Sequence, residues 1–285
     1  MQRWLLCVLL VGVLAGPAFA ADVQGTLKKI RDAKTVAMGY RESSPPFSFV
    51  GNDKKPAGYS VDLCLRIATA IQKELGLADL QVKWVPVLVE NRMTAVANGT
   101  IDLECGSTSK TLSRQEQVDF SDLTFVDGGS LLATAASGIK GAGDLGGKRV
   151  AVIPGTTTEK ALKDAIAKAS VNPQVIPVKD HAEGVAGLEK GTTDAYASDL
   201  VLLVGLAAAI KDRVNLRLAE EYFSYEPYAL MLRRDDSAFR LVVNRTLARL
   251  YREAEIIPIF RKWFGGIGEP SPLLKAMYLM NGLPE

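Results

Sequence analysis

The sequence predicts an α/β protein built from two similar lobes. Short apolar runs typical of strands alternate with amphipathic helical patterns along most of the chain. The pattern also repeats: residues 98–109 (NGTIDLECGSTS) and 190–201 (KGTTDAYASDLV) each carry a glycine, a threonine and an aspartate ahead of a short strand and a polar turn. A chain of 285 residues is long enough for two lobes of ordinary size.

The first 20 residues (1–20) have the pattern of a signal peptide. Arg3 provides a positive start, residues 4–16 are apolar and uncharged, and Ala18-Phe19-Ala20 is a small-x-small cleavage sequence. We predict cleavage after Ala20, so that removing 20 of the 285 residues leaves 265 and lowers the formal net charge from +2 to +1. The later apolar run 200–210 is too short to span a membrane and is interpreted as a buried helix. An exported, soluble product is expected.

Composition narrows the function further. A net charge near zero, without a basic stripe, argues against nucleic acid as a partner. One histidine in the whole chain and no close C-x-x-C pair argue against a metal site, and no cofactor is predicted. After cleavage Cys64 and Cys105 remain, and at this point a disulfide and two separately buried thiols are both open.

The alternation places candidate ligand groups at the ends of strands. In the first lobe we predict strands at 35–40, 81–87 and 101–105, and a long helix over 60–75 with Ser60 as its N-cap. In the second lobe we predict strands at 148–153, 174–178 and 193–198, with helices at 158–169, 181–191 and 200–211. Such alternation implies parallel sheets, and ligands bind outside the carboxyl ends of their strands. The polar residues predicted at those ends are Arg41, Ser107, Thr156, Thr157, Thr158 and Asp199.

The stretch PGTTTEKAL (154–162) predicts an anion site at a helix start. A strand runs into a Pro-Gly turn and three threonines before a helix, so free N–H groups and the positive end of the helix dipole face the strand ends. The alternative is simple N-capping by Thr157 or Thr158, with Glu159 stabilising the first turn. Both can hold, since they use different donors.

The stretch SRQE (113–116) predicts a capping box with Ser113 as the N-cap and Glu116 reaching back. Arg114 would then lie in the first helical turn, beside the Ser107–Ser109 turn. A guanidinium there can meet a carboxylate with two parallel hydrogen bonds. A solvated arginine is the alternative.

Two motifs known from enzymes occur here without the companion motifs or the order of elements that those enzymes require. The S-x-x-K from Ser107 to Lys110 lacks the S-D-N and K-T-G companions of acylating enzymes. The glycines of GAGDLG (141–146) precede a strand, whereas the dinucleotide fingerprint follows one. We therefore expect a protein that holds a ligand without reacting with it.

Several motifs together resemble a known family, in the right order and over essentially the whole mature chain. The sequence is similar to the periplasmic solute-binding proteins of amino-acid ABC transporters, most of all to the glutamate/aspartate-binding branch. The segments are GYRESSPPFSF, GYSVDLCLRIATAI, NRMTAVANGTIDLECGSTS, SRQEQVDFSD, DLGGKRVAVIPGTTTEK and KDHAEG.

The resemblance implies a type II periplasmic binding protein fold, in which two α/β lobes joined by two hinge strands close on the ligand. The crossings would fall near 125–129 and 225–229. Lobe 1 would be discontinuous, comprising 22–127 and 229–285, and lobe 2 would comprise 128–228. We expect a periplasmic monomer whose partners are the amino acid and the permease and ATPase components of an ABC importer.

The resemblance also implies the role of each ligand residue. Arg114 would bind the α-carboxylate, helped by Ser107, Ser109 and the N–H groups of the turn through Thr156, Thr157 and Thr158. Asp199 would bind the α-ammonium group. Arg41 and Arg92 would hold the acidic side chain, with His181 beside them. Three arginines and one aspartate would carry +2 against a ligand of −1, and a neutral ligand would leave buried charge unpaired.

One position departs from the family pattern. Val89 stands where related acidic binders carry a hydroxyl residue, three places before Arg92, which removes one donor and leaves another polar amino acid or a dicarboxylate as an alternative ligand. A second alternative is an exported dehydratase-like enzyme, for which the candidate acids are Glu42, Glu90 and Asp199. A sensor ectodomain is disfavoured because no transmembrane helix is predicted. The shared lobe and exported setting predict a disulfide between Cys64 and Cys105.

Overall fold

The computed structural model describes residues 23–210, 215–219 and 221–285. The predicted signal peptide and its cleavage site after Ala20 lie outside these ranges. None of the helices in the described ranges is both long enough and apolar enough to cross a membrane. The same part of the chain contains no group of three or more His, Cys, Asp or Glu side chains that could hold a metal ion.

Strands and helices alternate as the sequence pattern predicts, with α/β architecture in two lobes. The strands are β1 Thr35–Tyr40, β2 Ser43–Ser44, β3 Ser48–Val50, β4 Pro56–Ala57, β5 Gln81–Pro86, β6 Leu103–Glu104, β7 Asp119–Asp127, β8 Gly129–Thr134, β9 Arg149–Val152, β10 Gln174–Pro177, β11 Ala195–Asp199, β12 Leu216–Leu218 and β13 Glu226–Leu232. The helices are α1 Gly25–Ala33, α2 Tyr59–Glu74, α3 Arg92–Ala97, α4 Thr157–Ala169, α5 His181–Glu189, α6 Leu200–Ala209, α7 Ser237–Arg252, α8 Ile256–Phe264 and α9 Pro272–Asn281.

Each lobe is organised around a five-stranded sheet, and the two sheets share one plan. The first has the order β5-β1-β6-β13-β7 and the second the order β10-β9-β11-β8-β12. In both, three parallel strands are followed by two antiparallel ones. The strands that the sequence pattern predicted, β5-β1-β6 and β10-β9-β11, are the parallel ones. The strands β7, β8, β12 and β13 lie outside that pattern and pair in the antiparallel sense, because they are not joined to their neighbours by crossover helices. The α/β fold class is confirmed.

The chain passes between the sheets at two places. The strand β7 ends at Asp127 in the first sheet and β8 begins at Gly129 in the second. On the return, β13 enters the first sheet at Glu226. Phe125 of β7 and Tyr228 of β13 lie near each other in an aromatic cluster that packs around Phe47. Buried aromatic pairs therefore hold the first-lobe ends of both crossing strands.

Helix α2 packs its apolar face on the first sheet, burying Ile67 and Ile71 completely. It begins at Tyr59 after Gly58, so the prediction of Ser60 as N-cap was wrong. Gly58 has φ 131°, and a Cβ there would lie 2.2 Å from the carbonyl oxygen of Phe47. The close packing of Gly58 against the backbone of Phe47 therefore determines where α2 begins. The Ser60 hydroxyl instead donates to the carbonyl of Gly106 at 2.7 Å, which ties α2 to the turn after β6.

A disulfide fastens the same turn. Cys64 of α2 and Cys105, directly after β6, are bonded, at a sequence separation of 41. Both side chains are fully buried. The bond and the Ser60 contact together attach the segment that carries Ser107 and Ser109 to the core of the first lobe.

We predict that replacing Cys64 and Cys105 together by alanine lowers the free energy of unfolding by about 2–4 kcal/mol, because the unfolded chain gains freedom when the loop is released. Denaturant titration of the mature protein with and without a reducing agent measures this difference. Alkylation of unreduced wild-type protein should label no thiol, and two labelled thiols per chain would show that the bond does not form.

Candidate functional site

The first lobe brings five of the predicted site residues to one edge of its sheet. Arg41 follows β1, Arg92 begins α3, and Ser107 and Ser109 lie in the loop after β6. Arg114 lies in a short 3-10 helix, Arg114–Glu116. Because β1 and β6 are parallel, their carboxyl ends meet at the same edge, which explains how residues far apart in sequence become neighbours.

The second lobe supplies the other five by the same geometry. The threonines Thr156, Thr157 and Thr158 follow β9 at the start of α4, and His181 begins α5 after β10. Asp199 is the last residue of β11. The structure places all ten predicted residues around a single cavity between the lobes. Its lining is Arg41, Val89, Arg92, Ser107, Ser109, Arg114, Thr156, Thr157, Thr158, His181, Ser198, Asp199 and Leu202.

The lobes are closed on each other around this cavity. The space inside measures about 30 Å³, less than an amino acid occupies. Arg114 Nη2 donates across the cleft to the carbonyl of Gly155 at 3.3 Å. At the rim, Gly205 of α6 lies so near the loop after β2 that a Cβ on it would be 2.6 Å from the carbonyl oxygen of Pro45. A ligand of amino-acid size therefore enters only when the lobes separate.

Two buried arginines occupy the first-lobe side of the cavity. Burial lowers the pKa of Arg41 to about 10, with a further decrease from the positive charge of Arg92. Burial also lowers the pKa of Arg92. Arg92 Nη1 donates to the Thr108 hydroxyl at 2.6 Å, while its Nε is buried and has no hydrogen-bond partner within the described residues. This pair is a concentration of positive charge with unused donor capacity, suited to an anionic group.

The carboxylate of Glu104 offsets part of the positive charge of Arg41 and Arg92. Its side chain is fully buried at the end of β6, and it accepts a hydrogen bond from the Thr108 hydroxyl at 2.9 Å. Its negative charge raises the pKa values of both Arg41 and Arg92. Sequence reasoning missed Glu104, although a glutamate inside the apolar strand pattern IDLEC was a usable signal. A buried charge in a central strand requires a buried partner.

The capping box predicted around Arg114 does not form. The residues Arg114–Glu116 make one 3-10 turn, and the Ser113 side chain makes no capping hydrogen bond in the structure as described. The Thr111 hydroxyl accepts from the Arg114 N–H instead, at 3.2 Å. The guanidinium still points to the Ser107–Ser109 turn, where Nη1 donates to the carbonyl of Ser109 at 2.7 Å. Burial lowers the pKa of Arg114 to about 10.

The start of α4 differs in detail from its prediction. The N-cap is Thr156, whose hydroxyl accepts the Glu159 N–H at 3.0 Å, and not Thr157 or Thr158. Glu159 in turn accepts the Gly155 N–H at 2.8 Å, so this donor is already used within the turn. The side chains of Thr157 and Thr158 both donate to carboxylates, Glu226 at 2.5 Å and Asp199 at 2.6 Å.

The end of the cavity around Asp199 is acidic, and Arg114 lies near it. Asp199 accepts hydrogen bonds from Thr158 and from the hydroxyl of Tyr228. Burial, and then the negative charge of Glu226, raise the pKa of Asp199 to about 7. Glu226 and Tyr228, both on β13, were not anticipated from the sequence, because neither follows a strand end. With Glu104 and Glu226 included, the site contains three arginines and three carboxylates. The charge of +2 predicted for the binding site, from three arginines and one aspartate, was therefore wrong.

His181 is buried and neutral. Its Nδ1 lies 2.6 Å from the hydroxyl of Tyr196. Burial first, and then the charges of Arg41 and Arg92, lower its pKa from 6.5 to about 3. The ring is therefore a polar, uncharged neighbour of the arginine pair over the ordinary pH range.

Two α/β lobes that meet at a buried polar cavity form the arrangement of a two-lobed solute-binding protein. Residues 36–266 match the bacterial extracellular solute-binding proteins, family 3, and the chain belongs to this family. It is 39% identical over 257 residues to the L-glutamate/L-aspartate-binding protein of Pseudomonas aeruginosa, covering 90% of this chain and 85% of the relative. It is 38% identical over 261 residues to the glutamate/aspartate import solute-binding protein of Escherichia coli K12, covering 90% and 86%.

Solved structures agree on the fold. An ancestral arginine-binding protein bound to glutamine superposes with a TM-score of 0.73 and 28% identity, covering 81% of this chain and 98% of that one. An ancestral amino-acid-binding protein described as a precursor of cyclohexadienyl dehydratase superposes with a TM-score of 0.72 and 27% identity, covering 84% and 100%. The resemblance to solute-binding proteins noted in the sequence is thus confirmed, together with the type II fold.

We predict that His181 makes the protein less stable as the pH falls. Its pKa is lower in the folded state, about 3, than its ordinary value of 6.5, so between these values the unfolded chain binds more protons. The free energy of unfolding should fall through that window by up to ~1.4 kcal/mol per pH unit from this residue. The difference between wild type and His181→Gln in denaturant titrations isolates the effect. As His181 is the chain's one histidine, its NMR ring signals need no assignment; a shift centred near pH 6.5 would contradict the prediction.

Proposed function

We propose that this protein captures an acidic amino acid, glutamate or aspartate, between its lobes and delivers it to an ABC importer in the periplasm. The observation that carries the proposal is the placement of three arginines, Arg41, Arg92 and Arg114, and of Asp199 around one cavity. A ligand with two carboxylates and one ammonium group matches that placement of charge. The names of the relatives in Pseudomonas aeruginosa and Escherichia coli support the same ligand class.

The proposed pose assigns each charged group of the ligand to one region. Arg114 binds the α-carboxylate beside Ser107 and the start of α4. Asp199 binds the α-ammonium group, and Arg41 and Arg92 bind the side-chain carboxylate with His181 adjacent. Recognition of the ligand depends on where the charges lie and not on their sum, since Glu104 and Glu226 balance the arginines. Val89 contributes an apolar wall to the cavity at the position where the relatives' pattern has a hydroxyl.

The lobes proposed from the sequence, 22–127 with 229–285 and 128–228, move as units about hinges at 125–129 and 225–229. The protein acts as an exported monomer released by cleavage after Ala20, with a permease and an ATPase as its partners. We propose that it is not an enzyme. Of the three acids considered for a dehydratase-like reaction, Glu42 and Glu90 are exposed and outside the cavity lining, and Asp199 alone reaches it.

Discrimination between acids and amides tests the ligand class. Glutamate or aspartate should bind at least about a hundredfold more tightly than glutamine or asparagine, equivalent to ~2.7 kcal/mol. An amide NH2 would face the donors of Arg41 and Arg92 without an acceptor. Calorimetric titration with the four amino acids measures the preference. Equal binding of glutamine and glutamate would refute the acidic ligand while leaving a binding protein for other amino acids.

The same titrations should show that Arg41 and Arg92 are responsible for the preference for glutamate over glutamine. Arg92→Met should reduce the glutamate-over-glutamine ratio to below about tenfold, because one of the two charge-assisted partners of the side-chain carboxylate is removed. Arg66→Met, on the exposed face of α2, is the matched control and should leave the ratio unchanged. Circular dichroism checks that both variants are folded. A ratio in Arg92→Met equal to that of wild type would place the side-chain carboxylate elsewhere.

Arg114 should be required for every amino acid, acid or amide. Arg114→Ala removes the partner of the α-carboxylate that all of them share, at a cost of roughly 2–5 kcal/mol. Affinity measured by calorimetry should fall for glutamate and glutamine alike, with Arg66→Ala as the control. Binding within threefold of wild type would remove Arg114 from the site.

A further inference from the structure

Glu226 is a buried carboxylate that lies behind the cavity. It is the first residue of β13 and fully buried, and it is absent from the cavity lining. It accepts hydrogen bonds from Ser109 of the first lobe and from Thr157 of the second lobe, at 2.5 Å for the latter. Its other oxygen accepts from Ser224 at 2.6 Å. One carboxylate on a crossing strand therefore joins side chains from both lobes.

These contacts decide which way two cavity-lining hydroxyls point. A hydroxyl has one proton to donate and two lone pairs to accept with, whereas a carboxylate only accepts. The protons of Ser109 and Thr157 are therefore directed to Glu226, and only their lone pairs remain for the cavity. Thr158 donates its hydroxyl proton to Asp199 at 2.6 Å, so only its lone pairs remain for the cavity as well. Three hydroxyls at the acidic end are thus acceptors, which suits a cation and not a carboxylate.

We propose that Glu226 is a positioning residue for the ligand's ammonium group, turning Ser109 and Thr157 into acceptors and adding its charge to that of Asp199. This inference rests on the proposed function, since it takes an amino acid as the ligand. It also revises the role of Ser109, which the family resemblance had assigned to the α-carboxylate.

The charges around Asp199 give the proposal a measurable signature. The pKa of Asp199 is raised to about 7 by burial and then by Glu226, while Thr158, Tyr228 and Arg114 lower it. Part of the empty protein is therefore protonated at Asp199 at neutral pH, and an arriving ammonium group favours the ionised form and displaces the proton. The charged and titratable groups that face Asp199 are Glu226 and Tyr228 of β13, Arg114 of the 3-10 helix, Arg92 of α3, Asp127 of β7 and Tyr196 of β11.

Three other groups in that set keep their protonation state near neutral pH, and Asp127 does not. Burial raises the pKa of Asp127 to about 8, so this carboxyl is mostly protonated at pH 7 and ionises above it. The pKa of Arg114 is about 10, which keeps this side chain positive. Burial raises the pKa values of Tyr228 and Tyr196 above the ordinary one, so both remain protonated. At pH 7 Asp199 is therefore the group whose proton an ammonium ligand displaces.

The test is calorimetric titration of the mature protein with glutamate in two buffers of different ionisation enthalpy. At pH 7 the wild type should release about half a proton per glutamate, since the pKa of Asp199 is about 7. Its affinity should be greatest above pH 8 and fall, by at most about tenfold per pH unit, below pH 7.

Glu226→Gln keeps the side-chain shape and removes the charge. Its affinity at pH 8 should be about tenfold weaker, by the loss of one favourable charge near the ammonium group, and its proton release at pH 7 at least twofold smaller. Glu269→Gln, the same change at an exposed glutamate paired with Arg261, is the control and should match wild type in both quantities. A residue that merely supported the fold would not change the proton count.

Thr157→Val keeps the proposal testable if Glu226→Gln does not fold. It retains both carboxylates, and affinity should fall about fivefold with the loss of one acceptor. Unchanged affinity in Thr157→Val, or an unchanged proton count in a folded Glu226→Gln, would overturn the positioning role and leave the proposed function standing. If the wild type binds no amino acid, both proposals fall.

Discussion

Bringing three guanidinium groups into one cavity, two of them buried and that of Arg114 half-buried, is the constraint on which the site depends. An ion taken out of water costs several kcal/mol unless nearby charge and hydrogen bonds replace its hydration. Here Glu104 lies beneath Arg41 and Arg92, and Glu226 and Asp199 face Arg114. The carboxylates keep the arginines charged without covering the face that a ligand would meet. The cavity is consequently close to neutral as a whole and strongly polarised within.

Because of this polarisation, the hydroxyl groups contribute to ligand recognition as well as the charged groups. Thr108 connects Arg92 to Glu104, at 2.6 and 2.9 Å, so a hydroxyl relays between opposite charges on the arginine side. On the acidic side Ser109, Thr157 and Thr158 have their protons committed to carboxylates. One end of the cavity therefore presents donors and the other presents acceptors, although both are built from serine and threonine beside charged residues.

Sequence patterns predicted the architecture and part of the cavity lining because both follow from local rules, whereas Arg92, Ser109 and His181 were implied by the family resemblance. Strand and helix periods located the elements, and the rule that ligands meet strand ends brought Arg41, Thr156 and Asp199 to one place. Glu226 and Tyr228 were missed because they start a crossing strand, and only the three-dimensional return of β13 places them near Asp199. The capping box at Ser113 failed for a related reason. Tertiary contacts of Arg114 with Ser109 and Gly155 hold that segment as a short 3-10 turn, against its local propensity.

The disulfide from α2 to the turn after β6 has a consequence for the kinetics of binding. Because Cys105 and the Ser60 contact hold this turn on the core, the first lobe presents Ser107 and Ser109 in place while the cleft is open. The groups of the second lobe reach the ligand only after the lobes approach. Encounter is then governed by the first lobe, and residence time by the contacts that closure adds. Substitutions on the first-lobe side of the cavity should accordingly change the association rate, and substitutions on the second-lobe side should change the dissociation rate.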